Sequence, residues 1–260
     1  MKNSLTKIDT RRNTIVGMLS TTEGMTLNVN QLAEIMKVSP MTIRRDLDVL
    51  EKMGKIIRSH GSATLNQRQS EEGDTENDSI ERIKVRLAQQ ASTYIEDNMT
   101  LFINSSSTAL GTVDFLEDKV ITLVTNNLQV NRRNVNPRST IILPGGEIRF
   151  PKEALVGDLC VTNLSQIHSD ITIIGCSGFS VGKGITTNNI HESKVNHVMI
   201  KNTNGLVVVV CDYRKVGFDS KFIVSSLSNV DILITDIYAN PVAIRDIENK
   251  GITVIQVDGD

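Results

Sequence analysis

Apolar residues near the start of the chain recur at the three- and four-residue spacing that is typical of helices. Ile8, Ile15, Val16 and Leu19 predict a first helix that ends near Ser20. A polar stretch follows, and a second helical pattern begins after it. The chain therefore opens with short amphipathic helices.

The second predicted helix carries its own start signal. Asn28 precedes Gln31 by three residues, which is the spacing of a capping box. Leu32, Ile35 and Met36 are predicted to form the apolar face of this helix.

The third predicted helix runs from about residue 40 to residue 53. Ser39 suits the N-cap, Pro40 suits the first helical position, and Gly54 can end the helix in a left-handed conformation. Helical spacing predicts an inner face with Ile43, Leu47 and Leu50 and an outer face with Met41, Arg44, Arg45 and Asp48.

A hairpin and a linker are predicted next. The stretch KIIRSHGSATL reads as two short strands around a Ser-His-Gly turn. Residues 1–65 are therefore predicted to form a winged helix-turn-helix domain. Residues 66–78 contain no aliphatic side chain and are predicted to be a linker.

From residue 79 onward, apolar runs of strand length alternate with segments of helix length. The runs are TLFI, VITLV, TIIL, ITIIG, LVVVVC, DILIT and ITVIQV. Continuous β-branched runs separated by helices indicate a buried parallel sheet. We predict for residues 79–260 a mostly parallel, Rossmann-like α/β sheet with helices on both faces.

Charge separates the two predicted domains. Residues 1–68 hold 11 Lys and Arg against 6 Asp and Glu, whereas the whole chain has a net charge of −2. A basic first segment on an acidic body is typical of a nucleic-acid-binding module.

No apolar run is long enough to cross a membrane, and the N-terminus shows no apolar leader, so we expect a cytoplasmic protein. The 3 cysteines are widely spaced and are expected to be reduced.

The third helix and the hairpin supply the candidate DNA-binding residues. Arginines at the start of such a helix can reach guanine edges or phosphates in a major groove. The alternative is a surface helix on which Arg44 and Arg45 only pair with Asp48 or Glu51. The candidates are Ser39, Met41, Thr42, Arg44, Arg45, Arg58, His60 and Gly61.

Polar or glycine-rich loops follow four of the predicted strands. Ligands of parallel sheets bind outside the carboxyl ends of the strands, so these loops predict an anion site. The alternative for the serines is that they only cap a helix. The candidates are Ser105, Ser107, Thr108, Thr125, Asn126, Gly145, Gly146, Arg149, Gly175, Ser177 and Gly178, with Arg149 as a clamp for a phosphate or carboxylate.

The stretch VSPMTIRRDLDVLEKMGKIIRSHGSATL resembles the winged helix-turn-helix signature of the DeoR family of bacterial transcription regulators. The resemblance continues through the second domain and covers nearly the whole chain. It implies an effector domain similar to sugar-phosphate isomerases and CoA transferases, and repression that is relieved by a phosphorylated sugar.

The resemblance also adds effector-binding candidates. GGEIR matches a Gly-Gly-x-x-Arg loop of the family, and DITIIGCSGF matches a segment that begins at Asp170. The segments HESKVNHVMI and VVVVCDYRKVG imply roles for Glu192, Lys194 and Lys215.

One loop departs from the family pattern. The family usually has Asp and, two places on, Gly where this chain has Asn104 and Ser106. Asn104 stays an effector-binding candidate, and Asn104→Asp is expected to move ligand preference toward that of ordinary members of the family.

We therefore expect a repressor of a sugar-metabolism operon that binds double-stranded operator DNA as a homodimer or homotetramer. One alternative is an isomerase-like enzyme that would use Asp170, Glu192 and Lys194. Another is a DNA-binding protein that senses no ligand. The 4 histidines lack metal-binding spacing, so neither a metal nor a cofactor is predicted.

Limited proteolysis tests the predicted linker. Cleavage within residues 66–78 should release two separately folded pieces, because this segment has nothing to bury. Mass spectrometry of the fragments identifies the site. First cuts inside residues 100–200 would contradict the predicted boundary.

Overall fold

The computed structural model describes residues 11, 15, 19, 26–52, 56–59, 62–65 and 76–258. The chain divides into two compact units, residues 1–77 and 78–260. The predicted linker lies mostly outside the described residues. Its last three positions, 76–78, instead begin a helix.

The first unit is a winged helix-turn-helix. Its described elements are β1 (Thr26–Asn28), α1 (Val29–Met36), α2 (Pro40–Lys52), β2 (Ile56–Ser59) and β3 (Ser62–Leu65). The strands form an antiparallel sheet in the order β1-β3-β2. Of the first predicted helix, residues 11, 15 and 19 are described and are helical. Ile8, Val16, Ser20 and Gly54 lie outside the described residues.

The capping box of α1 is confirmed. The Gln31 backbone N–H donates to Asn28 Oδ1 at 2.8 Å, and the Asn28 N–H donates to Gln31 Oε1 at 3.0 Å. The predicted apolar face needs one correction, because Ile35 is 53% exposed. Val29, Leu32 and Ala33 are buried instead, since Leu32 and Ala33 lie three and four residues after Val29 on the same side of the helix.

The core of the first unit joins all its helices and the wing. The helical residues Ile15 and Leu19 are fully buried in it. The inner face of α2 is as predicted, and its members in this core are Ile43, Leu47 and Leu50. Burial of this face turns the opposite face of α2 outward.

The second unit contains twelve strands and five α-helices among its described residues. The helices are α3 (Glu76–Ser92), α4 (Ser107–Gly111), α5 (Asp158–Leu164), α6 (Ile190–Lys201) and α7 (Pro241–Glu248). The strands are β4 (Thr100–Ile103), β5 (Thr122–Thr125), β6 (Thr140–Ile142), β7 (Glu147–Arg149), β8 (Ala154–Val156), β9 (Ser169–Gly175), β10 (Gly178–Ser180), β11 (Gly184–Thr187), β12 (Thr203–Val210), β13 (Phe222–Ser225), β14 (Ile232–Asp236) and β15 (Thr253–Val257).

Seven of these strands form a parallel sheet in the order β15-β14-β12-β9-β4-β5-β6. They are the seven runs from which the sequence predicted a sheet. Successive residues of a strand point to opposite faces, so Ile173 packs with α3 while Ile174 packs with α7. The predicted α/β sheet with helices on both faces is confirmed.

Two smaller sheets were not predicted. A ribbon pairs β7 with β8, and a second antiparallel sheet has the order β10-β11-β13. Their strands have three or four residues each, too few to show a clear alternation. Both sheets flank the carboxyl ends of the parallel strands.

Within the part of the chain that the structure describes, no helix is long and apolar enough to cross a membrane.

Candidate functional site

The outer face of α2 is open, as predicted. Ser39 caps this helix, since its Oγ accepts from the Thr42 N–H at 3.2 Å. Met41 is 57% exposed, and Arg44 and Arg45 are exposed one turn further on. The face therefore presents two guanidinium groups beside an apolar side chain.

The neighbouring carboxylates are already engaged by the wing. Arg58 of β2 pairs closely with Asp48, and its Nη1 lies 4.0 Å from Glu51 Oε2. Within the described residues, Arg44 and Arg45 make no ion pair. The alternative in which they only neutralise Asp48 or Glu51 is therefore not what the structure shows.

Arg58 lies on strand β2 of the wing, as predicted. Its guanidinium ties β2 to α2 through these ion pairs and does not project as a free cation of the wing. His60 and Gly61, the other two wing candidates, lie outside the described residues.

A cavity of about 360 Å³ opens at the carboxyl ends of β4, β9 and β12. Most of the residues that line it have polar side chains. The residues that line it are Lys84, Asn104, Ser105, Ser106, Ser107, Thr108, Gln129, Lys152, Gly175, Cys176, Ser177, Thr187, Asn188, Glu192, Asn196, Arg214 and Lys215.

Asn104 forms the floor of this cavity and is only 2% exposed. Its Nδ2 donates to the Gly175 carbonyl at 2.9 Å and to Asn196 Oδ1 at 3.3 Å. Its Oδ1 accepts from the backbone N–H groups of Gly175 at 3.1 Å and Ser106 at 3.2 Å. This single amide ties the end of β4 to the end of β9 and to α6.

Ser106 and Gly175 fit together. A Cβ on Gly175 would lie 2.0 Å from Ser106 Oγ, so the serine needs a glycine opposite it. Ser106 Oγ also accepts from the Ala109 N–H at 3.3 Å and caps α4. The helix cap is thus Ser106 and not the candidates Ser105 and Ser107, to which the capping alternative referred.

Cations outnumber carboxylates around the cavity. Lys84, Lys152, Arg214 and Lys215 line it, and Glu192 is its one lining carboxylate among the described residues. Glu192 is 5% exposed, and its Oε2 lies 2.9 Å from Lys152 Nζ.

The buried carboxylate of Asp212 forms ion pairs with two of these cations, Arg214 and Lys215. It is 1% exposed, and it lies 2.8 Å from Arg214 Nε and 3.4 Å from Lys215 Nζ. Burial alone would raise the pKa of Asp212, but the hydrogen bonds and positive charges of Arg214 and Lys215 lower it. Asp212 is therefore ionised at neutral pH and orients both cations.

Eight of the effector candidates line the cavity. They are Asn104, Ser105, Ser107, Thr108, Gly175, Ser177, Glu192 and Lys215. Seven candidates do not line it, namely Thr125, Asn126, Gly145, Gly146, Arg149, Gly178 and Lys194. The loops after β4 and β9 therefore converge as expected. The candidates after β5 and β6 do not line the cavity, although Gln129, further along after β5, does.

The β7–β8 ribbon explains this difference. It docks on the end of β5, where the Leu155 N–H donates to the Asn126 carbonyl at 2.7 Å and Asn126 Nδ2 donates to the Leu155 carbonyl at 2.9 Å. Arg149 is exposed on β7, outside the cavity. The cation that this region contributes is Lys152 instead.

The lining residues that the sequence analysis missed come from elements far apart in the chain. They are Lys84, Ser106, Gln129, Lys152, Cys176, Thr187, Asn188, Asn196 and Arg214. Cys176 and Arg214 are next to chosen residues and could have been included. Lys84 lies in the middle of α3 and Lys152 follows the ribbon strand β7, so no local pattern marks them.

Asp170, Glu192 and Lys194, which an isomerase-like enzyme would use, do not line one common cavity. Asp170 lies near the amino end of β9, where its Oδ2 accepts from the Thr100 N–H at 2.7 Å. Lys194 lines a separate groove with His197 and Ile223. Only Glu192 of the three lines the cavity. Among the described residues, no group of three His, Cys, Asp or Glu side chains could hold a metal ion.

Comparison with known proteins matches both units. Residues 11–69 match the DeoR-like helix-turn-helix domain, and residues 80–237 match the DeoR C terminal sensor domain. The HTH-type transcriptional regulator GolR of Listeria innocua is 33% identical over 250 residues, which cover 94% of this chain and 96% of that protein. The Glycerol-3-phosphate regulon repressor of Escherichia coli is 32% identical over 217 residues, 81% of this chain and 84% of that protein.

A solved structure of ribose 5-phosphate isomerase A from Methanocaldococcus jannaschii is also similar. It covers 52% of this chain and 54% of its own length, with 15% identity and a TM-score of 0.38.

The network around Asn104 also yields a stability prediction for Asn104→Asp. In Asn104→Asp a carboxylate oxygen would face the Gly175 carbonyl and Asn196 Oδ1, and two hydrogen bonds would be lost. We expect a loss of about 1–3 kcal/mol in the free energy of unfolding, measured by urea denaturation.

Asn188→Asp is the matched control. Asn188 also lines the cavity, but its Oδ1 is an acceptor, from Ser220 Oγ at 2.6 Å, and a carboxylate keeps that bond. Equal stability of Asn104→Asp and Asn188→Asp would contradict the role of the Asn104 amide.

Proposed function

The chain belongs to the DeoR family of transcriptional regulators, and from that premise we propose that it is a repressor whose operator binding is relieved by a phosphorylated sugar. The cavity of the second unit is the observation that carries this proposal. It combines a surplus of cations with many neutral hydrogen-bonding groups, which suits a ligand with one anionic end and several hydroxyls.

The cations support a phosphate. Arg214 and Lys215 lie side by side at the end of β12, and Asp212 behind them limits their freedom. A phosphate dianion that binds there gains charge-assisted hydrogen bonds, which are roughly twice as strong as neutral ones. Lys84 and Lys152 add positive charge from other sides of the cavity.

The neutral groups support a sugar. Hydroxyls of Ser105, Ser107 and Thr108 can each donate and accept a hydrogen bond. Both hydrogen bonds that Glu192 makes among the described residues end on its Oε2, from Lys152 and Thr187. Its Oε1 can therefore accept from a sugar hydroxyl.

Operator binding is proposed for the outer face of α2. Arg44 and Arg45 can reach base edges or phosphates when this helix enters a major groove. We also propose a homodimer or homotetramer, because an operator with two half-sites requires at least two recognition helices.

Relief of repression requires two conformations of the protein. The ligand must bind one of them more tightly than the other, and the operator must prefer the other. Similarity to relatives supports this scheme, because their names describe regulators and repressors. One of them is the Glycerol-3-phosphate regulon repressor.

Replacing Arg44 and Arg45 together with alanine should abolish specific DNA binding. Each guanidinium that reads a guanine contributes about 1–3 kcal/mol, which is roughly 5- to 150-fold in Kd. The probe is a duplex that the wild-type protein selects from a random library, and the measurement is a fluorescence-anisotropy titration.

Arg132→Ala with Arg133→Ala is the matched control, since this adjacent pair lies in the second unit and binds Glu153 and Asp114. It should retain affinity for the same duplex. A double variant of Arg44 and Arg45 that still binds the duplex as the wild type does would refute the role proposed for α2.

Lys215→Ala should weaken binding of the effector. Loss of a hydrogen bond to a charged group costs about 1.5–3 kcal/mol, which is roughly 10- to 150-fold in Kd. Calorimetric titration with triose, pentose and hexose phosphates measures it.

Arg149→Ala is the control, because Arg149 lies outside the cavity and should leave the affinity unchanged. If Arg149→Ala weakened binding and Lys215→Ala did not, the phosphate site would lie at the β7–β8 ribbon and not at the end of β12.

A further inference from the structure

Two cysteines stand side by side at the end of the parallel sheet. Strand β9 pairs with β12, and their last paired residues are Gly175 and Val210. Cys176 and Cys211 follow immediately. Neighbouring strands lie about 4.8 Å apart, which is within the range of roughly 4.4–6.8 Å between Cα atoms in disulfides.

The two thiols differ in access. Cys211 is fully buried in the core, whereas Cys176 is partly exposed and lines the cavity beside Lys215. Cys176 is therefore the cysteine of the pair that a molecule in the cavity contacts. The Cys211 sulfur is accessible to Cys176 alone, across the strand pair.

Their hydrogen bond makes their reactivities differ as well. The bond from the Cys211 thiol lowers the pKa of Cys176 against the opposing effect of burial, and the charge of Lys215 lowers it further. The same bond, together with burial, raises the pKa of Cys211. Cys176 is thus the member of the pair that forms the thiolate, the nucleophilic form of cysteine.

We propose that Cys176 and Cys211 are an oxidisable pair in the cavity, which a hydroperoxide converts to an intrachain disulfide. The third cysteine, Cys160, takes no part. It is buried away from the pair, and burial raises the pKa of its thiol to about 11.

The reaction has two steps. The Cys176 thiolate attacks one peroxide oxygen, the O–O bond breaks, and the other oxygen leaves and takes a proton to form water or an alcohol. The sulfur becomes a sulfenic acid and is oxidised by two electrons, while the peroxide is reduced. The Cys211 sulfur then attacks the Cys176 sulfur, and the S–O bond breaks. The hydroxide that leaves takes the Cys211 proton as water.

The disulfide would act on the cavity through the residues that follow each cysteine. Ser177 comes directly after Cys176 and lines the cavity. Asp212 comes directly after Cys211 and holds Arg214 and Lys215. A bond between the two sulfurs therefore displaces the cations that are proposed to bind phosphate. This consequence, unlike the disulfide itself, rests on the function proposed above.

The test treats the reduced full-length chain with hydrogen peroxide and then alkylates it under denaturing conditions. The number of thiols that can be alkylated should fall from 3 to one. Peptide mapping should find the peptides of Cys176 and Cys211 linked by a disulfide. A chain that keeps all its thiols, or that forms a disulfide through Cys160 or between two chains, would overturn the proposal.

Variants separate the two steps. Cys211→Ala should stop at the sulfenic acid, which a 1,3-dione traps on Cys176, whereas Cys160→Ala should form the same disulfide as the wild type. Absence of the adduct in a folded Cys211→Ala protein would count against the attack by Cys176. If that variant fails to fold, iodoacetamide on the native wild type decides, because Cys176 should be alkylated before Cys160 and Cys211.

Thermal shifts with sugar phosphates then compare the reduced and oxidised forms. Stabilisation of the reduced form alone would support the coupling to the cavity, and equal stabilisation of both forms would refute it. If neither form is stabilised although the disulfide is present, the proposed effector fails while the thiol pair stands.

Discussion

The buried amide of Asn104 is the interaction on which the cavity depends. Parallel strands that end side by side leave backbone groups without strand partners, and buried polar groups of this kind must be satisfied. Asn104 bonds to both the N–H and the carbonyl of Gly175, so β4 and β9 end together. Ser106 occupies the space that Gly175 leaves free. The first turn of α4 is thereby fixed against the sheet.

Charge in the cavity is assembled from distant parts of the chain. Lys84 comes from α3, Lys152 from the β7–β8 ribbon, and Arg214 and Lys215 from the turn after β12. Their mutual repulsion is limited by three carboxylates: Glu81 pairs with Lys84, Glu192 with Lys152, and Asp212 with Arg214 and Lys215. The four cations exceed these carboxylates by one, so an anionic ligand group fits this arrangement better than a neutral sugar.

Ion pairs in the first unit leave the outer face of α2 open. Asp46, on the inner side of α2, pairs with Arg11 at 2.6 Å, and Asp48 and Glu51 pair with Arg58 of the wing. The exposed pairs that Arg58 makes contribute little stability. Their effect here is on orientation, because they hold α2 against its neighbours and use up the carboxylates nearest to Arg44 and Arg45.

The sequence alone determined the elements whose signal is local. Strand-length β-branched runs predicted all seven strands of the parallel sheet, and the spacing of Ile43, Leu47 and Leu50 predicted the two faces of α2. Local patterns also found the loops after β4 and β9, since parallel strands end at one edge. Only the tertiary structure decided which loops reach the cavity, because the β7–β8 ribbon covers the end of β5 and leaves Arg149 outside. Likewise, only the packing of α3 and the ribbon brings Lys84 and Lys152 to the cavity. The residues next to them in the sequence show no pattern that indicates this position.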